Sequence, residues 1–364
     1  MQTRTICCKL LTGEPFSEAL KETSVAFSEA CNFVLQTAIE EKTNNAINLH
    51  HHCYTKIRSV FGLSANLSVR AIHRVAACMT KLKGKRKRPK TFKPKSIDYD
   101  ARIFSYRERD ETISLNTTKG RIRIPMVLGE HQRKALKGQS PTSATVINKS
   151  GVWYIHITVE FECTRCENSS IMGIDLGINH IATTSTGSKI EGKTRQEFKR
   201  KKARVRASLQ SKGTKGARKV LKKISGRESR KIKYENHVLS KQLVEEAKRH
   251  SCGVIRMEQL KAIRDKTKTW NKHLNRMVAG WSFYQLQQFV TYKAIACGIA
   301  VELVNPAFTS QTCHHCLSLG SRDGERFTCL TCGDQHADVN ASHVIALGGA
   351  ACKPARISSF RLKS

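Results

Sequence analysis

Long apolar runs are absent from this 364-residue sequence. No stretch approaches the roughly 20 residues that span a bilayer, because even GIAVELVNPAF stops after a strand's length, and a membrane partner is therefore not expected. The N-terminal MQTRTICCKLLTGEPF lacks the apolar core of a secretion signal. The fourteen cysteines are accordingly read as thiols of a reducing, cytoplasmic compartment, nucleoid-associated in a prokaryote, and not as a disulfide scaffold. Acidic side chains are the second shortage: 29 Asp+Glu face 64 Lys+Arg, a formal net charge of +35. So large a self-repulsion points to a polyanionic partner, with nucleic acid as the leading candidate and a merely solubilising basic surface as the plainer alternative.

What is present changes period along the chain. After a short apolar strand near Thr5 to Leu11, residues 16 to 82 follow helical spacing, with Phe27, Ala30, Cys31, Val34 and Leu35 on one face. That module ends in KLKGKRKRPKTFKPK, whose prolines and like charges predict an extended basic connector. From Ile97 to Glu162 the period becomes two, as in TISLNTTKGRIRIP and GVWYIHITVEFE, which predicts antiparallel strands forming a small barrel with the first strand. Beyond Ser170 strands and helices alternate, the mark of an α/β unit: SIMGIDLGINHIATTSTG as two strands around a glycine turn, exposed basic helices over 193 to 233, an amphipathic helix in HVLSKQLVEEAKRH, the strand GVIRMEQL, the helix WSFYQLQQFVTYKAIACG and the buried strand GIAVELVNP. Trp281 and Tyr284 are placed on the apolar face of that last helix.

Cys313-x2-Cys316, twelve residues, then Cys329-x2-Cys332 is the spacing of two zinc-ribbon knuckles. Each CxxC turns two sulfurs toward one ion, and four thiolates close a tetrahedral site with no open position for chemistry, so the expected Zn2+ is structural. Cys163 and Cys166 form a third CxxC with no second pair and are read as free thiols of a loop.

Cutting a phosphodiester with two divalent ions requires carboxylates that converge from separate elements. Asp175 lies inside the apolar strand GIDLG, Glu258 ends VIRMEQL, and Asp338 opens the helical segment DVNASHVIALGG. Singly, an acid at a strand end is most often a cap or a turn. Together, in this order and in so basic a chain, the three form a candidate catalytic set.

GIDLGINHIATTSTG, NHVLSKQLVEEAKRHSCGVIRMEQL, WSFYQLQQFVTYKAIACGIAVELVNPAFTSQTCHHC and FTCLTCGDQHADVNAS together resemble, in order and spacing, the TnpB proteins encoded by insertion sequences, over about residues 170 to 348. The resemblance implies a multidomain protein, α/β plus β-barrel: an RNase H-like (RuvC) nuclease over 169–308 and 335–352, a zinc ribbon inserted at 309–334, a wedge-like β-barrel from 1–12 and 97–168, a helical recognition module with its basic connector at 13–96, and a tail at 353–364. It makes Asp175, Glu258 and Asp338 the ligands of catalytic Mg2+. It also implies RNA-guided DNA cleavage beside a short flanking motif, with guide RNA and target double-stranded DNA as partners and no indication of oligomeric state. Two positions depart from the family pattern: Gln259 follows Glu258 where Asp or Asn is usual, and His336 replaces an acid two residues before Asp338.

Between Lys193 and Lys233 there are 18 Lys or Arg and two acids. Lys199, Arg200, Lys201, Lys202, Arg204 and Arg206 there, and Lys85, Arg86, Lys87 and Arg88 in the connector, are the candidate nucleic-acid contacts, since an A-form backbone is held by cations and not by base-reading groups. Two rivals share the motifs. A miniature type V CRISPR effector would carry the same nuclease and ribbon, and a guided repressor would bind without cutting but should have lost a catalytic acid. A strand-transfer transposase is disfavoured, because joining does not follow from a RuvC site.

Overall fold

A computed structural model describes residues 2–82, 91–162, 166–260 and 282–349. The chain divides into two compact units, Met1–Glu162 and Cys163–Ser364. Lys85, Arg86, Lys87, Arg88, Cys163, Trp281 and the tail at 353–364 lie outside the described residues.

In the first unit β1 (Gln2–Leu10) leads into three helices, α1 (Glu14–Glu40), α2 (Ala46–Phe61) and α3 (Ala65–Leu82). Pro15 in the first turn starts α1, and residues at three- and four-residue spacing, among them Phe27, Ala30, Cys31, Val34 and Leu35, form its buried face. Asn45 caps α2, its side chain accepting from Ile47 N at 2.8 Å, and Gly62 (φ 62°) ends it in the left-handed region. Strands β2 (Ser96–Asp100), β3 (Phe104–Arg107), β4 (Thr112–Thr117), β5 (Gly120–Val127), β6 (Ser143–Lys149) and β7 (Val152–Phe161) join β1 in one antiparallel sheet, in the order β2-β6-β7-β1-β5-β4-β3, and α4 (Glu130–Leu136) follows β5. Thus β1, first in the chain, lies inside the sheet between β7 and β5. Alternate residues Trp153, Ile155, Ile157 and Val159 of β7 face a core shared with the helices.

The second unit is built on a five-stranded sheet in the order β10-β9-β8-β11-β12. Its strands are β8 (Ile171–Asp175), β9 (His180–Thr184), β10 (Lys189–Glu191), β11 (Val254–Glu258) and β12 (Ala300–Val304). β8, β11 and β12 run parallel, while β9 pairs antiparallel with β8 and β10 antiparallel with β9. The parallel neighbours need crossovers. The long helices α5 (Lys193–Lys212) and α6 (Lys215–Arg249) separate β10 from β11, and α7 (Phe283–Ala296) precedes β12. The C-terminal part of α6 buries its apolar side through Leu243, Val244 and Ala247; apart from Ala217, the 215–233 stretch is mostly exposed and cationic. β12 departs from the buried strand expected of it: it is the last strand of the sheet, and Leu303 is 51% exposed. Tyr284 departs as well, being exposed while Phe283, Leu286 and Val290 take the buried face of α7.

A small three-stranded sheet, β13 (Ser321–Asp323), β14 (Arg326–Cys329) and β15 (Gly333–His336), closes over Phe327, which is fully buried. β15 runs directly into α8 (Ala337–Leu347). That helix packs on β8 so closely that a Cβ on Gly173 would stand 2.0 Å from the Ser342 carbonyl oxygen. Glycine is required there by the approach of two backbones.

Candidate active site and metal centre

The three acids singled out in the sequence reach one cleft of about 490 Å³ from three elements: Asp175 at the end of β8, Glu258 at the end of the parallel neighbour β11, and Asp338 in the first turn of α8. Ends of adjacent parallel strands lie side by side, which brings Asp175 and Glu258 together. The close β8–α8 packing brings Asp338 to the same place, where the N-terminal helix dipole favours its negative charge.

Each carboxylate is held. Asp338, 7% exposed, receives Arg322 Nη2 at 2.7 Å on Oδ1 and faces His180 Nδ1 at 2.8 Å on Oδ2. Thr309, itself buried, donates its hydroxyl to Glu258 Oε1. Gln287 of α7, 2% exposed, donates from Nε2 to the Glu258 carbonyl at 2.9 Å, so a buried amide fixes the strand end that carries the acid. Burial, reinforced by the neighbouring charges of Glu258 and Asp338, pushes the Asp175 carboxyl up to about 7. Burial also raises Glu258, opposed by the Thr309 hydrogen bond and by Arg322. Three converging carboxylates, two of them raised by burial and with one guanidinium beside them, form a donor set of hard oxygens suited to a divalent cation.

Arg322, His180 and Thr309 are absent from the sequence-level candidates. Arg322 lies in strand β13 of the ribbon and His180 opens β9. Neither belongs to a spacing that signals a site, because both meet Asp338 only through the tertiary fold. His336, noted as a departure, caps α8 beside the site with its ring centroid 5.5 Å from that of His180.

The four ribbon cysteines converge: the sulfurs of Cys313, Cys316, Cys329 and Cys332 all lie within 4.8 Å of one another. Four sulfurs at the usual Zn–S bond length of about 2.3 Å would stand about 3.8 Å apart, so the cluster can hold a tetrahedral Zn2+. Hydrogen bonds from the Ser318 backbone and hydroxyl lower the Cys316 thiol, while the hydrogen bond with Cys316 and burial raise that of Cys332 to about 12, so without a metal the cluster does not favour four thiolates. The ribbon is fastened beside the cleft by Asn340 of α8, which is fully buried. Its Nδ2 donates to Thr312 O at 2.6 Å and its Oδ1 accepts from His314 N at 2.9 Å, two residues from Asp338.

The candidate nucleic-acid residues on α5 divide into two sets. Arg200, Lys201 and Arg204 are exposed. Lys199 is half-buried, and burial beside Arg195 pulls its ammonium down to about 8. Lys202 lies 5.5 Å over the Phe198 ring, and Arg206 pairs with Glu228 at 2.6 Å. No helix among the described residues is long and apolar enough to cross a membrane.

Fold and site together define a class: a two-unit protein whose second unit sets a three-carboxylate cleft against a four-cysteine ribbon. Residues 283–345 match the family model of the TNB domain of Cas12f1-like proteins. The chain is 33% identical over 239 residues to the CRISPR-associated endodeoxyribonuclease Cas12f1 of Sulfoacidibacillus thermotolerans, covering 59% of this chain and 55% of that protein. It is 34% identical over 138 residues to a TnpB-like protein of Methanocaldococcus jannaschii, covering 38% and 49%. It thus spans about half the length of these curated relatives. A Cas12f1–sgRNA–target DNA complex shares the fold with a TM-score of 0.67 at 16% identity, over 92% of this chain and 83% of that one. The mini-RNA-guided endonuclease CRISPR-Cas phi3 follows with 0.56 at 10% identity, over 95% and 92%. The chain is similar to the TnpB and Cas12f1 proteins over these stretches.

Proposed function

We propose that the protein is an RNA-guided DNA endonuclease of the TnpB type. The observation that carries this reading is the convergence of Asp175, Glu258 and Asp338 on one cleft directly beside the ribbon. In this reading the second unit is an RNase H-like (RuvC) nuclease with an inserted zinc ribbon, and the antiparallel sheet and helices of the first unit are a wedge and a recognition module. The domain limits are those given by the sequence, with guide RNA and target double-stranded DNA as partners.

Asp175, Glu258 and Asp338 would hold Mg2+. The metal, when bound, supplies Lewis acidity toward the scissile phosphate and lowers the pKa of an attacking water. The chain's own contribution is positional. Thr309 fixes Glu258, His180 and Arg322 fix the two oxygens of Asp338, and buried Gln287 holds the strand end from which Glu258 projects. The exposed cations Arg200, Lys201 and Arg204 would neutralise backbone phosphates of the guide or target. Cys313, Cys316, Cys329 and Cys332 would hold Zn2+ and with it keep the ribbon and Arg322 against the cleft.

One experiment tests the reading: purify the protein from cells expressing its native locus, sequence the co-purifying RNA and supply a matching target library with randomised flanks. A discrete RNA and Mg2+-dependent cleavage next to a fixed flank are expected, with Asp175→Ala abolishing cleavage and sparing RNA binding. Absence of any discrete RNA would sink the guided mechanism, and cleavage by Asp175→Ala at the wild-type rate would sink the site. The match to the Cas12f1-like TNB model favours a second reading, a miniature type V CRISPR effector; a repeat array beside the gene would select it, and a transposon end would select TnpB.

A further inference from the structure

Among the described residues that line the cleft, Arg322 is the one cation, set beside the carboxyls of Asp175, Glu258, Glu325 and Asp338. Its Nη2 stands 2.7 Å from Asp338 Oδ1. Burial raises the carboxyls of Asp175 and Glu258, and the Arg322 charge pulls both back down, so its field reaches all three acids that would hold a metal. The second oxygen of Asp338 faces His180 Nδ1 at 2.8 Å. Both Asp338 oxygens are thus engaged, one of them by a full positive charge. A divalent ion drawn to the same oxygens meets that charge at close range and is repelled by it.

How each neighbour is held shows which one yields. Thr309 and Gln287 are buried where they fix Glu258, and His180 belongs to a strand of the five-stranded sheet, its side chain 15% exposed. Arg322 projects instead from β13, a three-residue outer strand that pairs with β14 alone. Its side chain is 32% exposed, and its Nε bonds within the same hairpin, to Gly324 O at 3.1 Å. The guanidinium can therefore swing toward solvent without unmaking β8, β11 or α8.

We propose that Arg322 is an internal counter-ion that competes with the divalent metal for the carboxylates, so that metal entry and release of the β13–β14 hairpin from Asp338 are one coupled equilibrium. The inference rests on the nuclease reading above, which makes the three acids metal ligands, and adds a latch between the ribbon and metal occupancy. The coupling is reciprocal: the ion loosens the hairpin, and the latched hairpin weakens the ion by the fraction of molecules in which the guanidinium has withdrawn. A latch closed in roughly nine molecules of ten lowers the apparent affinity about tenfold. An Arg322 that merely positioned Asp338 would act with the opposite sign, because loss of a group that orients a ligand weakens metal binding.

The test uses the full chain, freed of nucleic acid and carrying its zinc, at pH 8, above the value of about 7 to which Asp175 is pushed. Mn2+ is the probe, its free concentration read by electron paramagnetic resonance. Arg322→Gln should bind Mn2+ about tenfold more tightly than wild type, while Arg322→Lys, which keeps the charge, should stay nearer to wild type. Hydrogen exchange reads the other half of the linkage. Saturating Mn2+ should speed exchange of the β13 and β14 amides in wild type and leave Arg322→Gln unchanged, already at the faster rate. This arm decides on wild type alone, so a poorly folding variant does not shelter the proposal. The latch is overturned if Arg322→Gln binds Mn2+ no more tightly than wild type, or if Mn2+ leaves exchange in the wild-type hairpin as it was. Asp175→Ala, which removes a ligand and spares the latch, separates the two readings. Weaker Mn2+ binding by Asp175→Ala with unchanged binding by Arg322→Gln overturns the latch and leaves the metal site, whereas Asp175→Ala binding Mn2+ as wild type does overturns the metal assignment and the latch with it.

Discussion

Ionising Asp175 places a negative charge beside Glu258 and Asp338 in a buried site, and the folded chain answers by keeping its proton up to about pH 7. The ordinary value is 3.8, so between about pH 4 and pH 7 the folded chain binds a proton that the unfolded chain has released. Stability of the metal-free protein therefore falls as pH rises through that window, with the full penalty present above about 7. Asp175→Asn should remove it: the metal-free variant should be more stable than wild type at pH 8, by an amount on the order of 4 kcal/mol, and should melt together with wild type near pH 4. An equal shift at both pH values would show that the gain has another source. His180 belongs to the same scale. Removing it leaves Oδ2 of Asp338 without its 2.8 Å partner, and His180→Ala should lower Mg2+-dependent cleavage by about 10- to 100-fold, read as a higher Mg2+ requirement, with His180→Asn recovering part of the activity. The acids themselves could be read in the sequence because each punctuates an apolar segment. Arg322 and His180 could not, since their role exists only once the ribbon hairpin and β9 are folded against α8.

At the scale of elements, the site depends on how closely β8 approaches α8. Gly173→Ala would set a methyl group 2.0 Å from Ser342 O and 2.5 Å from Ala346 N, both backbone atoms that cannot turn aside. The helix must retreat, at a cost of about 3 kcal/mol, and Asp338 retreats with it. Thermal melting and cleavage should therefore fall together, unlike the Asp175→Asn case in which stability rises as cleavage is abolished. The ribbon gives the complementary prediction. Cys329→Ser removes one of four converging sulfurs and should cut bound zinc, measured on the purified protein, from one equivalent toward zero. Cleavage should fall as well, because Asn340 would no longer anchor a folded ribbon and Arg322 would no longer be held against Asp338; undiminished zinc content would refute the four-cysteine site. Ribbon, helices and central strands were readable because cysteine spacing and hydrophobic period are local properties. The exposure of β12 and of Tyr284 was not, for an apolar run does not say whether its strand will be the last of a sheet, nor an aromatic residue which side of its helix a neighbour will cover.

At the scale of the whole molecule, a formal charge of +35 makes the free protein self-repelling and its affinity for a polyanion strongly dependent on salt. Charge alone does not say which cations work. Arg206 is paired with Glu228 and Lys202 lies over Phe198, whereas Arg200, Lys201 and Arg204 project from α5 into solvent. If the exposed set meets phosphate, replacing all three with glutamine should weaken RNA and DNA binding across sequences. It should also flatten the slope of log K against log salt by about one unit for each phosphate that is no longer neutralised. Replacing Arg206 instead should disturb the α5–α6 pairing and lower the melting temperature, with less effect on that slope. The comparison needs titrations at several ionic strengths, because at one salt concentration a general drop in charge and the removal of particular phosphate partners look alike. Equal slopes for wild type and the triple variant would place the nucleic-acid surface elsewhere on the chain.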